Sequence, residues 1–230
     1  MADTAIIVGV GPGLGLALAQ RFAAAGMNVA MAARKRDKLD ALLPAVTGGT
    51  ARAYACDATS AADVASLFET VAKDLGDPLV VVYNASNFPR GSILDLEPSA
   101  IETAWRISCL GGFHVGQQAA RRMVPKGRGT ILFTGATASL RGSALFAGFA
   151  IGKFGLRALA QSMARELGPK GVHVAHVIVD GQIAAERYRD RDPESMLSPA
   201  AIAEAYWQLH AQHPSAWTQE LDVRPSVERF

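Results

Sequence analysis

Residues 4–25 read Thr-Ala-Ile-Ile-Val-Gly-Val-Gly-Pro-Gly-Leu-Gly-Leu-Ala-Leu-Ala-Gln-Arg-Phe-Ala-Ala-Ala. Thr4 to Val8 is compact and apolar, as a buried strand is. Leu14 to Ala25 is a run of strong helix formers, and Gly26 supplies a stop. Between them lies Gly9-Val-Gly-Pro-Gly-Leu-Gly15. Position 14 is Leu, so the turn fails the GxGxxG pattern, but Gly9, Gly13 and Gly15 satisfy GxxxGxG. The physics is shared. Glycines let the backbone approach a pyrophosphate and let the helix pack close, while the helix N-terminus offers unpaired N–H groups to the anion. The blander reading is a tight strand-to-helix turn. Four glycines in seven residues at the first turn of a βαβ unit favour the anion site, with Gly9, Gly11, Pro12, Gly13, Leu14 and Gly15 as its residues.

The same alternation continues outward. Strands are expected over 28–33, 50–56, 79–83, 130–134, 172–179 and 217–223. Helices are expected over 35–43 (ended by Pro44), 60–75 (opened by a capping box from Ser60), 98–124 (despite Gly111 and Gly112), 143–167 and 199–210. Residues 181–197 are polar, charged and proline-punctuated, and read as a long loop. Apolar strands alternating with helices imply a parallel sheet covered on both faces. Right-handed crossovers make it doubly wound. The expectation is one α/β domain over 1–230, of Rossmann type, with about seven strands. Ligands of such sheets sit beyond the carboxyl ends of the strands, which confines the search to the loops there.

Composition narrows the classes. Half of the 230 residues are hydrophobic and 19% are charged, which excludes a disordered chain. The net charge of +2 is too small to argue for nucleic acid. No apolar run approaches the ~20 residues of a membrane helix. The start of the chain lacks the basic and long apolar stretches of a secretory signal. Cys56 and Cys109 make no disulfide framework. Together these lead to an expected cytoplasmic protein without nucleic-acid or membrane partners.

Three further segments, in this order, complete a pattern: Cys56-Asp57 after the third strand, Tyr83-Asn84-Ala85-Ser86 after the fourth, and Lys153 on the long helix over 143–167. With the glycine turn they resemble the short-chain dehydrogenase/reductase superfamily over nearly the whole chain. The resemblance implies that Asp57 and Ala58 lie near an adenine, that Asn84, Ala85 and Ser86 (the family usually has Asn-Asn-Ala-Gly) border the cofactor, and that Ile183 in the 181–197 loop closes on it. Asp57 and Asn84 can also be read as ordinary turn residues. At the end of the second strand stands Ala33-Arg34-Lys35-Arg36, with no acid before Asp37. An acid there suits a ribose 2′-hydroxyl; an arginine suits a 2′-phosphate. Arg34 therefore points to NADP(H) over NAD(H).

Most members of the family carry Tyr-x-x-x-Lys, a Ser on the preceding strand end and an Asn on the fourth helix. The resemblance implies that the Tyr moves the proton while the Lys holds the ribose and lowers the Tyr pKa. Here the segment is Phe149-Ala-Ile-Gly-Lys153. Lys153 is kept, Phe149 takes the Tyr position, Ala136 the Ser position and Ser108 the Asn position. Spacing the Tyr seven residues before the Lys gives Phe146 and does not restore the motif. Phe has no ionisable hydrogen. Ser143, Asp180 and Tyr188 are the alternative proton donors nearby, Tyr188 lying in the 181–197 loop that resembles the family's substrate lid.

The histidines suggest no metal. His173 and His176 lie three apart in a strand and face opposite ways. His210 and His213 could share a face at the end of the last helix, but no cysteine or carboxylate cluster joins them. Two functions remain. One is an NADP(H)-dependent oxidoreductase acting on a small, mostly apolar carbonyl or activated alkene, with an atypical proton donor. The other is a catalytically silent NADP(H)-binding sensor or partner subunit. In either case the long fourth and fifth helices, with Trp105, Phe113, Phe146 and Phe154, are expected to pair into a homodimer or homotetramer.

Overall fold

A computed structural model describes residues 2–227. Seven strands form one sheet: β1 (Thr4–Val8), β2 (Asn28–Ala33), β3 (Ala51–Ala55), β4 (Pro78–Tyr83), β5 (Gly129–Thr134), β6 (Val172–Val179) and β7 (Glu220–Val223). Their order is β3-β2-β1-β4-β5-β6-β7, and every pairing is parallel. Strand order reverses between β1 and β4, and a crevice opens there at the carboxyl ends.

Seven helices cover the faces: α1 (Leu14–Ala24), α2 (Arg36–Asp40), α3 (Ala61–Asp74), α4 (Pro98–Trp105), α5 (Gly111–Met123), α6 (Ala147–Leu167) and α7 (Pro199–His210). Successive residues of β1 enter opposite layers. Ala5 and Ile7 join Leu18, Phe22 and Tyr206 on one side; Ile6 and Val8 join Phe68, Val115 and Leu156 on the other. Both faces are apolar because both are buried, which is why these strands read as continuous hydrophobic runs rather than alternating ones.

Several boundaries differ from the sequence pattern, each for a local reason. The segment over 35–43 is helical only to Asp40, and Pro44 sits inside a separate 3₁₀ turn, Leu43–Ala45. The long helix over 98–124 is interrupted by a π-helical turn, Arg106–Leu110. The Tyr83 hydroxyl donates to the Ile107 carbonyl in that turn. A Cβ on Gly111 would sit on the same hydroxyl, and one on Gly112 would meet Leu156 at 2.5 Å. The two glycines are therefore packing residues that admit Tyr83, not helix breakers. Helix α6 starts at Ala147 rather than Ser143, because Leu145 takes a left-handed φ of 71°. The last strand starts at Glu220: Pro214–Ala216 forms a 3₁₀ turn, and Trp217 stacks flat on His173 at 4.9 Å. Ser60 does cap α3, its Oγ accepting from Asp63 N at 3.2 Å.

Candidate active site

Two adjoining cavities occupy the crevice. The smaller, about 340 Å³, is bordered by Gly9, Gly11, Arg34, Asp57, Ala58 and Ala85, among others. The larger, about 1010 Å³, is bordered by Pro12, Gly13, Leu14, Phe149, Lys153 and Ile183, among others. Asn84 and Ser86 border both. Gly15 borders neither; its absent side chain instead lets the Val10 backbone approach, since a Cβ there would meet Val10 Cα at 2.7 Å.

The floor of the crevice follows from backbone requirements. Gly9 has φ +93°, and a Cβ there would strike the Ala85 backbone. Asn84 ties the two strand ends together: its Nδ2 donates to the Gly9 carbonyl at 3.0 Å, and its N–H to the Val8 carbonyl at 2.8 Å. Gly11 and Gly13 are different, since an added Cβ would meet nothing within 4 Å. Helix α1 opens beside them with no side-chain cap and no acid in its first turn. Its positive end is thus bare and faces open space, which suits an anion.

At the far end of the smaller cavity, Arg34 is exposed and Asp57 half-buried. Asp57 Oδ1 accepts from Thr59 N at 2.9 Å and Thr59 Oγ1 at 2.8 Å. The Thr59 amide, with lesser help from Arg34, holds the carboxyl below its ordinary range. His114, on α5, approaches the Ala58 carbonyl at 3.1 Å and so packs behind this end.

Lys153 sits in the larger cavity on α6, 2% exposed, and its Nζ donates to the Thr134 carbonyl at 2.7 Å. Burial lowers its pKa to about 8. Phe149, one turn earlier, holds its ring 5.8 Å from that ammonium and packs edge-on against Phe88 at 4.6 Å. Phe146 backs Phe88 at 5.1 Å. Ala136 borders the cavity, and its N–H is held by Ser139 Oγ at 3.2 Å. Ser108 does not reach the cavity: it is fully buried in the π-helical turn, where Oγ accepts from Asn87 N at 3.4 Å.

The other candidate proton carriers separate cleanly. Ser143 is exposed and outside both cavities. Asp180 borders the larger one, but its carboxylate accepts from the Thr137 hydroxyl and lies 3.4 Å from Arg224. Tyr188 borders it as well, its ring flanked by the guanidiniums of Arg187 at 4.8 Å and Arg191 at 5.1 Å. Residues 181–197 are not featureless: two 3₁₀ turns form, and Ile183 bridges to Leu197.

The histidines are structural. His173 Nε2 lies 2.9 Å from the Thr218 carbonyl, and His176 Nε2 lies 3.2 Å from Ser139 Oγ. His210 Nδ1 reaches Thr130 Oγ1 at 2.9 Å, while His213 lies beyond the helix end and accepts from Ser215 N at 3.3 Å, so these two share no face. Sequence patterning missed Phe88, Arg141, Arg187 and Arg224 around the cavity. All lie in loops that carry no periodicity.

A family model for short chain dehydrogenase matches residues 3–194. A curated relative, (21S)-21-acetoxyl-apo-melianone synthase of Melia azedarach, is 34% identical over 172 residues, covering 74% of this chain and 63% of its own. A solved short-chain dehydrogenase from Rhodopseudomonas palustris is 39% identical, with a TM-score of 0.86 over 97% of this chain and 98% of its own. A metagenomic short-chain oxidoreductase solved in complex with NADP is 25% identical, with a TM-score of 0.86 over 98% of each chain. No helix among the described residues is long and apolar enough to cross a membrane.

Proposed function

The chain belongs to the short-chain dehydrogenase/reductase family, and on that premise we propose that it is an NADP(H)-dependent oxidoreductase acting on a small, mostly apolar carbonyl or activated alkene. The observation that carries this reading is the pair of cavities meeting at Asn84 and Ser86, with Arg34 at one end and buried Lys153 at the other. The cofactor, when bound, supplies or accepts the hydride. The turn Gly9–Gly15 and the bare end of α1 take its pyrophosphate. The Arg34 guanidinium forks onto the 2′-phosphate, since the end of β2 carries no acid before Asp37 for a 2′-hydroxyl. Asp57 and Ala58 border the adenine. Lys153 meets the ribose, and residues 181–197, with Ile183, form the lid. The relative solved with NADP supports the same choice of cofactor.

Phe149 stands where the resemblance implies a Tyr, so on this reading the proton needs another carrier. The Asp180 carboxylate is engaged by Thr137 and Arg224. Among the other groups on the cavity wall, Tyr188 lies in the lid and Lys153 on a packed helix. Lys153 is our assignment. Its ammonium is fixed by Thr134, and a pKa near 8 lets it release a proton in the neutral range. A second reading, binding without turnover, is favoured by the Phe88–Phe149 edge contact, which puts hydrocarbon where a phenol would act.

Self-association is part of the same proposal. Trp105, Phe113, Ile151 and Phe154 are exposed along α4, α5 and α6, which suits pairing into a dimer or tetramer. The free thiols of Cys56 and Cys109 suit the cytoplasm.

Fluorescence titration with NADPH and NADH tests the reading. NADPH is expected to bind at least about tenfold more tightly. Absence of binding by either nucleotide would sink both the enzyme and the sensor.

A further inference from the structure

The arginines of this protein are distributed unevenly with respect to their partners. Away from the crevice several lie on carboxylates: Arg21 on Glu204, Arg52 on Asp74, Arg122 on Asp77 and Arg157 on Glu220. Around the mouth of the larger cavity Arg224 also lies on a carboxylate, Asp180, but two others do not. Arg141 and Arg187 border the cavity itself, and neither has a carboxylate within ion-pair distance among the described residues. Arg187 lies over the Tyr188 ring, and Arg90, just outside, lies over the Phe146 ring at 5.6 Å. Asp180, the one carboxylate on the lining, is already taken by Thr137 and Arg224.

Part of the lining is hydrocarbon. Phe149 and Phe88 border the cavity edge to face, with Phe146 behind them. A ligand in this space can meet both an aromatic surface and two guanidiniums that have no carboxylate partner among the described residues. Guanidiniums pair with carboxylates through two parallel N–H···O bonds. Low-dielectric walls concentrate the field of such charges inside a cleft.

We propose that the substrate carries a carboxylate on a flat apolar body, and that Arg141 and Arg187 receive the carboxylate while Phe88 and Phe149 hold the body. This rests on reading the larger cavity as the substrate site of an oxidoreductase. It sharpens the class from an apolar carbonyl to one bearing an acid, and it makes the two arginines specificity residues.

Calorimetric titration of the NADP⁺-saturated protein with 4-acetylbenzoate and with 4-acetylbenzamide, equal in shape and differing in charge, tests it. The acid is expected to bind at least about tenfold more tightly than the amide. In the Arg141→Gln, Arg187→Gln double variant that preference is expected to vanish, with NADP⁺ affinity unchanged. Both side chains are exposed, so the variant keeps its fold, which its circular dichroism checks. Equal affinities in the parent protein would overturn the proposal. So would a preference that survives the double change, or a double variant that loses NADP⁺ instead, which would give the arginines to the cofactor. Failure of the underlying reading looks different: NADP⁺ then fails to bind the parent protein at all.

Discussion

The Lys153 ammonium and the Thr134 carbonyl meet at 2.7 Å, and the Thr134 hydroxyl is in turn 2.7 Å from the hydroxyl of Tyr206. The end of β5 is thereby clasped from α6 and α7 together. The clasp sets a cation in the wall of the cleft with a carbonyl dipole, rather than a full negative charge, as its partner.

That arrangement makes stability depend on alkaline pH. Lys153 titrates near 8 when folded, below the ordinary 10.5, because burial penalises its charge. The unfolded chain therefore holds more protons between those values, and stability rises as pH climbs from about 8 towards 10.5. The full rise amounts to about 3 kcal/mol. Lys153→Met is expected to abolish this rise and to be the more stable protein at pH 7. Urea midpoints at pH 7 and pH 10 check both; parallel pH dependence in the two proteins would contradict the assignment.

His176 predicts an acid limb. Burial lowers its pKa to about 4, with Lys153 and Arg157 adding to the shift and Glu220 opposing it. The unfolded state takes up the proton first, so stability falls as pH drops from about 6.5 through 4. His176→Gln, which can still face Ser139 but does not titrate, should flatten this limb. Thermal midpoints at pH 7 and 5 read the difference.

Arg34→Ala should weaken NADPH binding by about 10- to 100-fold, the loss expected for a charge-assisted fork, and leave NADH nearly untouched. An equal loss for both nucleotides would move Arg34 from the 2′-phosphate to a general role.

Phe149→Tyr with Ala136→Ser puts a phenol and a hydroxyl at the two positions where the proposed reading would have them. Reductase activity is expected to rise by about 10²- to 10⁴-fold, the ordinary contribution of a positioned proton donor. Unchanged NADPH affinity would show that the gain lies in the chemistry. No gain would mean that the surrounding pocket has diverged as well.

The π-helical turn offers a coupling test. Gly111→Ala puts a methyl onto the Tyr83 hydroxyl and should destabilise by roughly 1–3 kcal/mol. Tyr83→Phe alone leaves the Ile107 carbonyl without its donor and should cost about 1–3 kcal/mol. The two together should cost less than their sum, because the oxygen that clashes is the one removed. Strict additivity in a double-mutant cycle would separate the two positions.

The sheet, its order of elements and the residues of the glycine turn could be read from the chain, because each rests on a local pattern: apolar runs, a cap at Ser60, glycines at Gly9 and Gly13. What escaped depends on contacts between distant segments. The break in the helix over 98–124 is set by a hydroxyl from β4, which no helical periodicity contains. The late start of α6 is set by the backbone of Leu145. Position alone picks out Ser108; burial in the same π-helical turn, against Asn87 and off the cavity lining, is a property of the fold. Arg141 and Arg187 stand out only once the paired arginines are known, and pairing is a property of the folded surface.

Asn84 borders both cavities, whereas Arg34 borders one and Lys153 the other. The two ends can therefore drift independently. On the proposed reading, exchanging Arg34 would re-specify the nucleotide without touching Phe88 or Arg141, which border only the other cavity, and reshaping those two would change the substrate without touching Arg34. A change at Asn84 has no such privacy: it loosens the Gly9 carbonyl and the strand end together, and both halves of the crevice register it.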